Sequence, residues 1–318
     1  MIAILIALAC HATLVALLVL VAPQPFDAFV GWLAYWMFGT WALVRYDCSW
    51  PWLRATRLSD TLRRSLCALR LDSVSHARLA ALAPDLRGRR QAIFAVEPHG
   101  YACIAVALLF AGYGTAGSPR DALGADIAGR IRVVGHWIAL TIPFVRELYA
   151  VFGVLNCSRA SFEQALRSRQ HLAVIPSGVN GKRDAVLRAP RAGVVDVLRR
   201  PDDRLGFLSL ATRFGALIVP VLALDEQSTY TALGPRWLPW PLQLVVGRCL
   251  VAPLARSAPM RVAVGEPIDT AALNRHRPGA IEELAERYYD ALSRLADEHG
   301  VRLELHRLSD GAPHAHFE

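Results

Sequence analysis

The chain has 318 residues, 54% of them hydrophobic and only 19% charged, with mean hydropathy +0.30 and a formal net charge of +8. The apolar excess is larger than an ordinary soluble core consumes and points to lipid, while the basic balance calls for a polyanionic partner such as anionic lipid or a phosphate-rich co-substrate. No zinc-finger, basic-zipper or RNA-recognition signature accompanies the arginines, which argues against nucleic acid; the six cysteines form no CxxC pair and read as reduced thiols.

Residues 1–22 are almost wholly apolar, broken by His11 and Thr13, and are long enough to cross a bilayer. A cleavable signal peptide is the competing reading, although the positive amino-terminal region is missing. A second apolar stretch, 26–44, follows the turn Pro23-Gln24-Pro25, so the pair reads as a transmembrane or re-entrant hairpin over 1–45. Arginines begin only at Arg45, which puts the rest of the chain on the cytosolic side. Residues 46–90 read as an interfacial amphipathic segment: Trp50 and Trp52 sit among arginines, and Ser59 starts a helix carrying Leu62, Leu66 and Leu69 on one face.

From Gln91 the pattern changes to alternating strands and helices, which predicts an α/β layer structure for a catalytic domain over 91–308, followed by a loose tail at 309–318. Strands are expected at 92–96, 132–134, 171–175, 217–224 and 261–264, and helices at 104–110, 137–149, 206–214 and 280–299, with an amphipathic stretch at 161–168. Pro220 lies inside one predicted strand, which fits an edge or a bulge. In the last helix Ile281, Leu284, Tyr288, Leu292 and Leu295 share a face, and Gly300 stands past its end.

Four segments carry chemistry. Glu97-Pro98-His99-Gly100 ends the first strand, where α/β folds collect ligand sites. His99 titrates near working pH and suits a general base, although a structural histidine at a turn would look the same. Arg159, in Asn156-Cys157-Ser158-Arg159, can grip a phosphate or simply solvate a helix start. Ser177 and Gly178 open a glycine-bearing loop that continues to Lys182 and Arg183, a cradle for anions. The spacing matches neither a Walker loop nor a nucleophile elbow. The strand from Leu217 ends at Asp225-Glu226, where Glu226 can orient a histidine or merely mark a solvated strand end. The GxGxxG string Gly112–Gly117 follows a helical run and precedes Pro119, so a dinucleotide site is rejected. His136, His276, His306, His314 and His316 share no ligand spacing, and no metal is expected.

In order and spacing these segments resemble the type-2 diacylglycerol and monoacylglycerol acyltransferases. The resemblance rests on Glu97-Pro98-His99-Gly100, Pro143-Phe144-Val145-Arg146-Glu147, Cys157-Ser158-Arg159, Gly206-Phe207 with Arg213-Phe214-Gly215, Val219-Pro220 with Asp225-Glu226-Gln227, and Val264-Gly265-Glu266-Pro267-Ile268. The family's loop glutamate is replaced at Gly181, and no aspartate follows His99 at the spacing of the wider glycerolipid acyltransferases. The resemblance implies a mixed sheet flanked by helices and an acyl-CoA-dependent O-acyltransferase of triacylglycerol biosynthesis, with acyl-CoA as co-substrate, diacylglycerol as acceptor and no bound cofactor. Monoacylglycerol, a wax alcohol, a lysophospholipid, or no catalysis in a silent lipid-binding relative, are the alternatives. It further implies an integral membrane enzyme, with the endoplasmic reticulum as its location, bound to membrane lipid and open to homo-oligomer formation. The site set is His99, Glu226, Glu97 and Gly100 for catalysis, with Arg159, Lys182, Arg183, Ser177 and Gly178 for the CoA moiety.

Overall fold

The computed structural model describes residues 30–35, 37, 69–88, 90–98, 119–136, 153–178, 191–199, 206–228, 231–233, 244–246, 260–273 and 277–307. The helices expected at 104–110 and 137–149, most of the membrane hairpin, the Pro143–Glu147 motif and the rejected glycine string lie outside them. Residues 30–35 and 37 are helical. Among the described residues no helix is long and apolar enough to cross a membrane.

A seven-stranded mixed sheet organises the chain. The strands are β1 (Leu69–Leu71), β2 (Ala92–Glu97), β3 (Ile131–Gly135), β4 (Leu155–Asn156), β5 (His171–Val174), β7 (Leu217–Ala223) and β10 (Met260–Val264), with β6 (Val194–Arg199) outside it. Their order is β1-β10-β7-β2-β5-β3-β4. The ladders joining β7, β2, β5, β3 and β4 are all parallel, whereas β10 runs antiparallel to β7. β8 (Thr231–Leu233) and β9 (Leu244–Val246) form a separate antiparallel pair. β11 (Arg302–Arg307) pairs in parallel with β6.

The central strands are buried on both sides and read as continuous apolar runs, as parallel strands must when helices cover both faces. Side chains alternate between the faces. Ile93, Ala95, Leu172, Val174, Ile218 and Leu222 pack with helices α4 (Arg159–Arg167), α5 (Gly206–Phe214) and α6 (Ala280–Glu298). Phe94, Val96, Ala173, Val219 and Val221 belong to the opposite core with α1 (Ser73–Arg87), α2 (Pro119–Leu123) and α3 (Ala125–Ala128). α6 buries Leu284, Tyr288, Leu292 and Leu295, the stripe its periodicity predicts, and Gly300 beyond it takes a left-handed φ of 63°.

Two expectations change. Leu69 and Arg70 do not continue a helix from Ser59; they form β1 against Met260 and Arg261, because an open edge of β10 offers backbone partners that a helix end lacks. The next helix starts at Ser73 behind the N-cap Asp72, whose carboxylate accepts the Ser75 amide at 2.8 Å. Its Leu79, Leu82 and Leu86 are buried against the sheet, within the stretch read as interfacial. The second is narrowed rather than overturned: Pro220 lies in an internal strand, so of an edge and a bulge the structure has the bulge. Ile218 exchanges both its backbone bonds with Ile268, at 3.0 and 2.7 Å, and by alternation the nitrogen of Pro220 faces the same side. There residues 265–267 separate the two pairings, and Gly265 donates to the Pro220 carbonyl at 2.9 Å. The missing N–H therefore falls where the ladder is already interrupted.

Candidate active site

The parallel strands deliver their carboxyl-terminal ends to one edge, and the acidic residues singled out in the sequence gather there. Glu97 is the last residue of β2, paired in register with Leu222 of β7. It alternates onto the face shared by Ile93 and Ala95, beneath α5 and α6, and is 1% exposed. The peptide bond to Pro98 is cis. His99 and Gly100, the proposed base and oxyanion turn, lie outside the described residues.

Ser177 reaches Glu97 from the neighbouring strand. Its amide donates to Glu97 Oε1 at 2.7 Å and its hydroxyl to Oε2 at 2.7 Å. β5 ends at Val174, and the Gly178 amide closes a turn onto the Ile175 carbonyl at 3.0 Å. Gly178 has φ 53°, a conformation that favours glycine, and the turn directs Ser177 back into the sheet. Ser177 is itself 1% exposed. The sequence grouped Ser177 and Gly178 with the CoA moiety; the structure joins Ser177 to Glu97 instead of to open solvent. A carboxylate that accepts two donors inside a low-dielectric layer is held in one orientation.

Glu226 lies beyond β7 in a short 3-10 turn, Glu226–Ser228, and is also 1% exposed. Its neighbours hold it from two sides. Asp225 accepts from Arg261 of β10 through the amide, Nε and a terminal guanidinium nitrogen, at 3.1, 3.0 and 3.2 Å. Burial alone would push the Asp225 carboxyl up, but the Arg261 bonds and charge prevail and hold it below the usual carboxylate range. Gln227 pairs with the backbone of Asp196 on β6, accepting its amide at 3.3 Å and donating to its carbonyl at 2.9 Å. The turn carrying Glu226 is thereby pinned between the main sheet and the β6–β11 ribbon.

Tyr288 of α6 completes the inner wall and was read from sequence only as a core position. It is fully buried, edge-on to Phe207 at 5.7 Å between ring centroids, with Tyr289 at 5.3 Å. Burial, then the charge of Glu97, then Tyr289, push its phenol well above the ordinary value.

Arg159 opens α4 behind the N-cap Ser158, near the end of β4. Its side chain is 77% exposed and donates to Glu163 at 3.0 Å; Arg167 and Arg213 converge on the same carboxylate at 3.1 and 2.6 Å. Three guanidinium groups around one glutamate leave a surplus of positive charge. Lys182 and Arg183 lie outside the described residues.

Asp196, Glu304 and His306 bring possible ligand atoms within 4.8 Å of one another on the β6–β11 ribbon, a convergence the sequence spacing gave no hint of. Arg191 donates to both carboxylates, at 2.7 Å to Asp196 and 2.6 Å to Glu304, and His306 Nε2 lies 2.6 Å from Asp196. The cluster carries its own counter-charge and reads as an ion-pair network that fastens the ribbon.

Fold and edge together define an α/β layer protein whose buried carboxylates stand at the carboxyl ends of parallel strands. The diacylglycerol acyltransferase family model matches residues 31–237, and the chain belongs to that family. Diacylglycerol O-acyltransferase 2 of Xenopus laevis is 25% identical over 249 residues, 70% of this chain and 64% of that protein. The protein of the same name in Dictyostelium discoideum is 26% identical over 232 residues, 66% of each chain. The mouse diacylglycerol O-acyltransferase 2-like protein 6 is 25% identical over 189 residues, 52% of this chain and 54% of that one. The chain thus spans less than two thirds of the length of the relatives it matches. Among solved structures, the 1-acyl-sn-glycerophosphate (LPA) acyltransferase PlsC of Thermotoga maritima superposes with a TM-score of 0.43 and 12% identity, over 94% of this chain and 99% of that one.

Proposed function

We propose that this protein is an acyl-CoA-dependent O-acyltransferase that esterifies a lipid alcohol, with diacylglycerol the favoured acceptor and triacylglycerol the product. The observation that carries the reading is the buried Glu97, held by Ser177 at the end of a central parallel strand immediately before Pro98-His99, in a chain of the diacylglycerol acyltransferase family.

In the proposed reaction His99 accepts the proton of the lipid hydroxyl as its oxygen attacks the thioester carbon. The tetrahedral oxyanion takes hydrogen bonds from turn N–H groups near Gly100. Collapse breaks the carbon–sulfur bond, and the imidazolium returns the proton to the departing CoA thiolate. Glu226 steadies the charged imidazole, and Glu97 keeps the turn in register through Ser177. The surplus positive charge at Arg159, Arg167 and Arg213, together with Lys182 and Arg183, suits the phosphates of CoA. The apolar hairpin of 1–45 is proposed to hold the enzyme to a membrane, that of the endoplasmic reticulum, with the catalytic domain facing the cytosol.

The test is direct. The purified protein in mixed micelles is given one labelled acyl-CoA and a pool of lipid alcohols, and products are identified by mass. Triacylglycerol with stoichiometric CoA release is expected, and His99→Ala lowers the rate by about a hundredfold or more while folding is retained. Ester cleavage without any CoA requirement would overturn transfer in favour of hydrolysis.

A further inference from the structure

The three arginines around Glu163 present more donors and more charge than that glutamate uses. Arg159 stands one helical turn before Glu163 on α4, Arg167 one turn after it, and Arg213 reaches the same carboxylate from the last turn of α5. Arg159 and Arg213 donate to one carboxylate oxygen at 3.0 and 2.6 Å, and Arg167 to the other at 3.1 Å. Each guanidinium carries five N–H donors and spends one on Glu163. Side-chain exposures of 77%, 65% and 37% leave the remaining donors within reach of a ligand. The Arg159 bond first, and then the charges of Arg213, Arg159 and Arg167, overcome burial and hold the Glu163 carboxyl below its ordinary range. Three cations against one ionised carboxylate leave two positive charges in surplus. Helix stability does not account for the arrangement. The first turn of α4 holds no acidic residue, and Arg159 adds its charge to the positive end of the helix dipole. An i,i+4 pair with the cation on the amino-terminal side is also the weaker orientation.

We infer that Arg159, Arg167 and Arg213 form a site for a phosphate monoester, and that its ligand is the ribose phosphate of the CoA moiety rather than the diphosphate. A phosphate monoester carries close to two negative charges at neutral pH and presents three acceptor oxygens, which match the charge surplus and the three guanidinium groups. The diphosphate spreads its charge along a linkage and offers no such face. Glu163 keeps the guanidinium groups converged, so little side-chain freedom is lost when the phosphate binds. The position fits an acyl-CoA laid across the sheet edge. Arg159 follows β4, and β2, β5, β3 and β4 are parallel neighbours whose carboxyl ends share one edge. Three strand spacings separate β4 from β2, about 14 Å. The pantetheine arm spans such a gap, with the thioester at the Glu97 end of β2 and the nucleotide beyond β4. α4 and α5 also cover the face of the sheet onto which Glu97 alternates.

The inference rests on the proposed acyl transfer, and its test keeps the two separable. Acyl-CoA and acyl-dephospho-CoA, which lacks only the ribose phosphate, are compared as substrates of the wild type, Arg159→Gln and the double variant Arg159→Gln/Arg167→Gln. Both arginines are exposed and their ion pairs contribute little to stability, so the variants are expected to fold. The wild type shows a KM about tenfold lower for acyl-CoA than for the dephospho substrate, with kcat within about twofold. That preference shrinks as salt is raised, because the guanidinium groups are exposed. Arg159→Gln reduces it, and the double variant brings it below about twofold by raising KM for acyl-CoA. Calorimetric binding of CoA and dephospho-CoA reads the same preference without turnover. A wild type indifferent to the ribose phosphate, or a double variant that keeps the full preference, would overturn the inference. Vesicles of phosphatidylcholine with and without phosphatidic acid test the other source of a phosphate monoester. Loss of phosphatidic acid-dependent binding in the double variant, with the CoA preference intact, would assign the arginines to a lipid headgroup and overturn the inference as well. A wild type that prefers CoA to dephospho-CoA in calorimetry but transfers no acyl group would sink the parent reading and leave the phosphate site standing.

Discussion

Glu97 and Ser177, 80 residues apart in sequence, meet in a two-point clamp in which both carboxylate oxygens accept at 2.7 Å from one residue. The clamp crosses from β2 to the turn after β5, strands that are already paired in register, so it joins the two ends that frame the candidate site.

Ser177→Ala removes the hydroxyl donor and keeps the amide. A buried charged acceptor then loses one of its two bonds from Ser177, at an expected cost of about 1–3 kcal/mol. Acyl transfer is expected to fall more than that loss alone explains, because the turn before His99 is no longer held. Thermal unfolding and turnover on the same preparation read both effects; full activity with lowered stability would confine the clamp to folding.

Asp225→Asn tests how Glu226 is held. The Asp225–Arg261 pair is partly exposed, with 28% and 55% side-chain exposure, so its value for global stability is small. Its value for positioning is larger, because Glu226 is the next residue along. Turnover is expected to drop about tenfold or more with little change in melting temperature. The Asp225 carboxyl stands below its ordinary value in the folded chain, so its contribution is present above pH about 4 and fades as pH falls through the folded value.

Gln227→Ala cuts two bonds to the Asp196 backbone and frees the β6–β11 ribbon from the Glu226 turn. A loss of about 1–2 kcal/mol is expected, and faster amide exchange in residues 194–199 and 302–307 is the more telling readout. Unchanged exchange there would mean that Arg191 and His306 suffice to hold the ribbon.

His171 predicts a pH dependence at the opposite edge of the sheet. It is fully buried, and its Nδ1 accepts the Ala92 amide at 3.3 Å. Burial first, and then the charge of Arg130, bring it from 6.5 to about 4. The folded value lies below the unfolded one, so the unfolded chain takes the proton first. The stabilisation is complete above pH 6.5 and lost as pH falls towards 4, in total on the order of 2–3 kcal/mol. Denaturation midpoints measured across that window should decline for the wild type and flatten for His171→Gln; equal slopes would refute the assignment.

Much of the architecture is legible in local pattern. Short apolar runs bounded by turn residues mark β2, β5, β7 and β10, and the spacing of Leu284, Tyr288, Leu292 and Leu295 marks α6, because side-chain burial follows backbone period. Leu69–Leu71 was not legible, since a three-residue strand is stabilised by the partner edge it finds and not by its own periodicity. The same limit applies to the site. Glu97, Ser177 and Glu226 stand out as chemistry-bearing residues after strands, but strand order alone brings the first two together.

By itself the sequence determined which residues end strands, which helix faces are apolar, and that an acidic residue precedes Pro98-His99; these follow from neighbours within a few positions. Tertiary structure alone decided that β10 runs against β7 and that Ser177 donates twice to Glu97. Such relationships join segments about 40 to 80 residues apart, and they depend on strand order and on how helices cover the sheet. Both are settled by the packing of the whole core, which no local window contains.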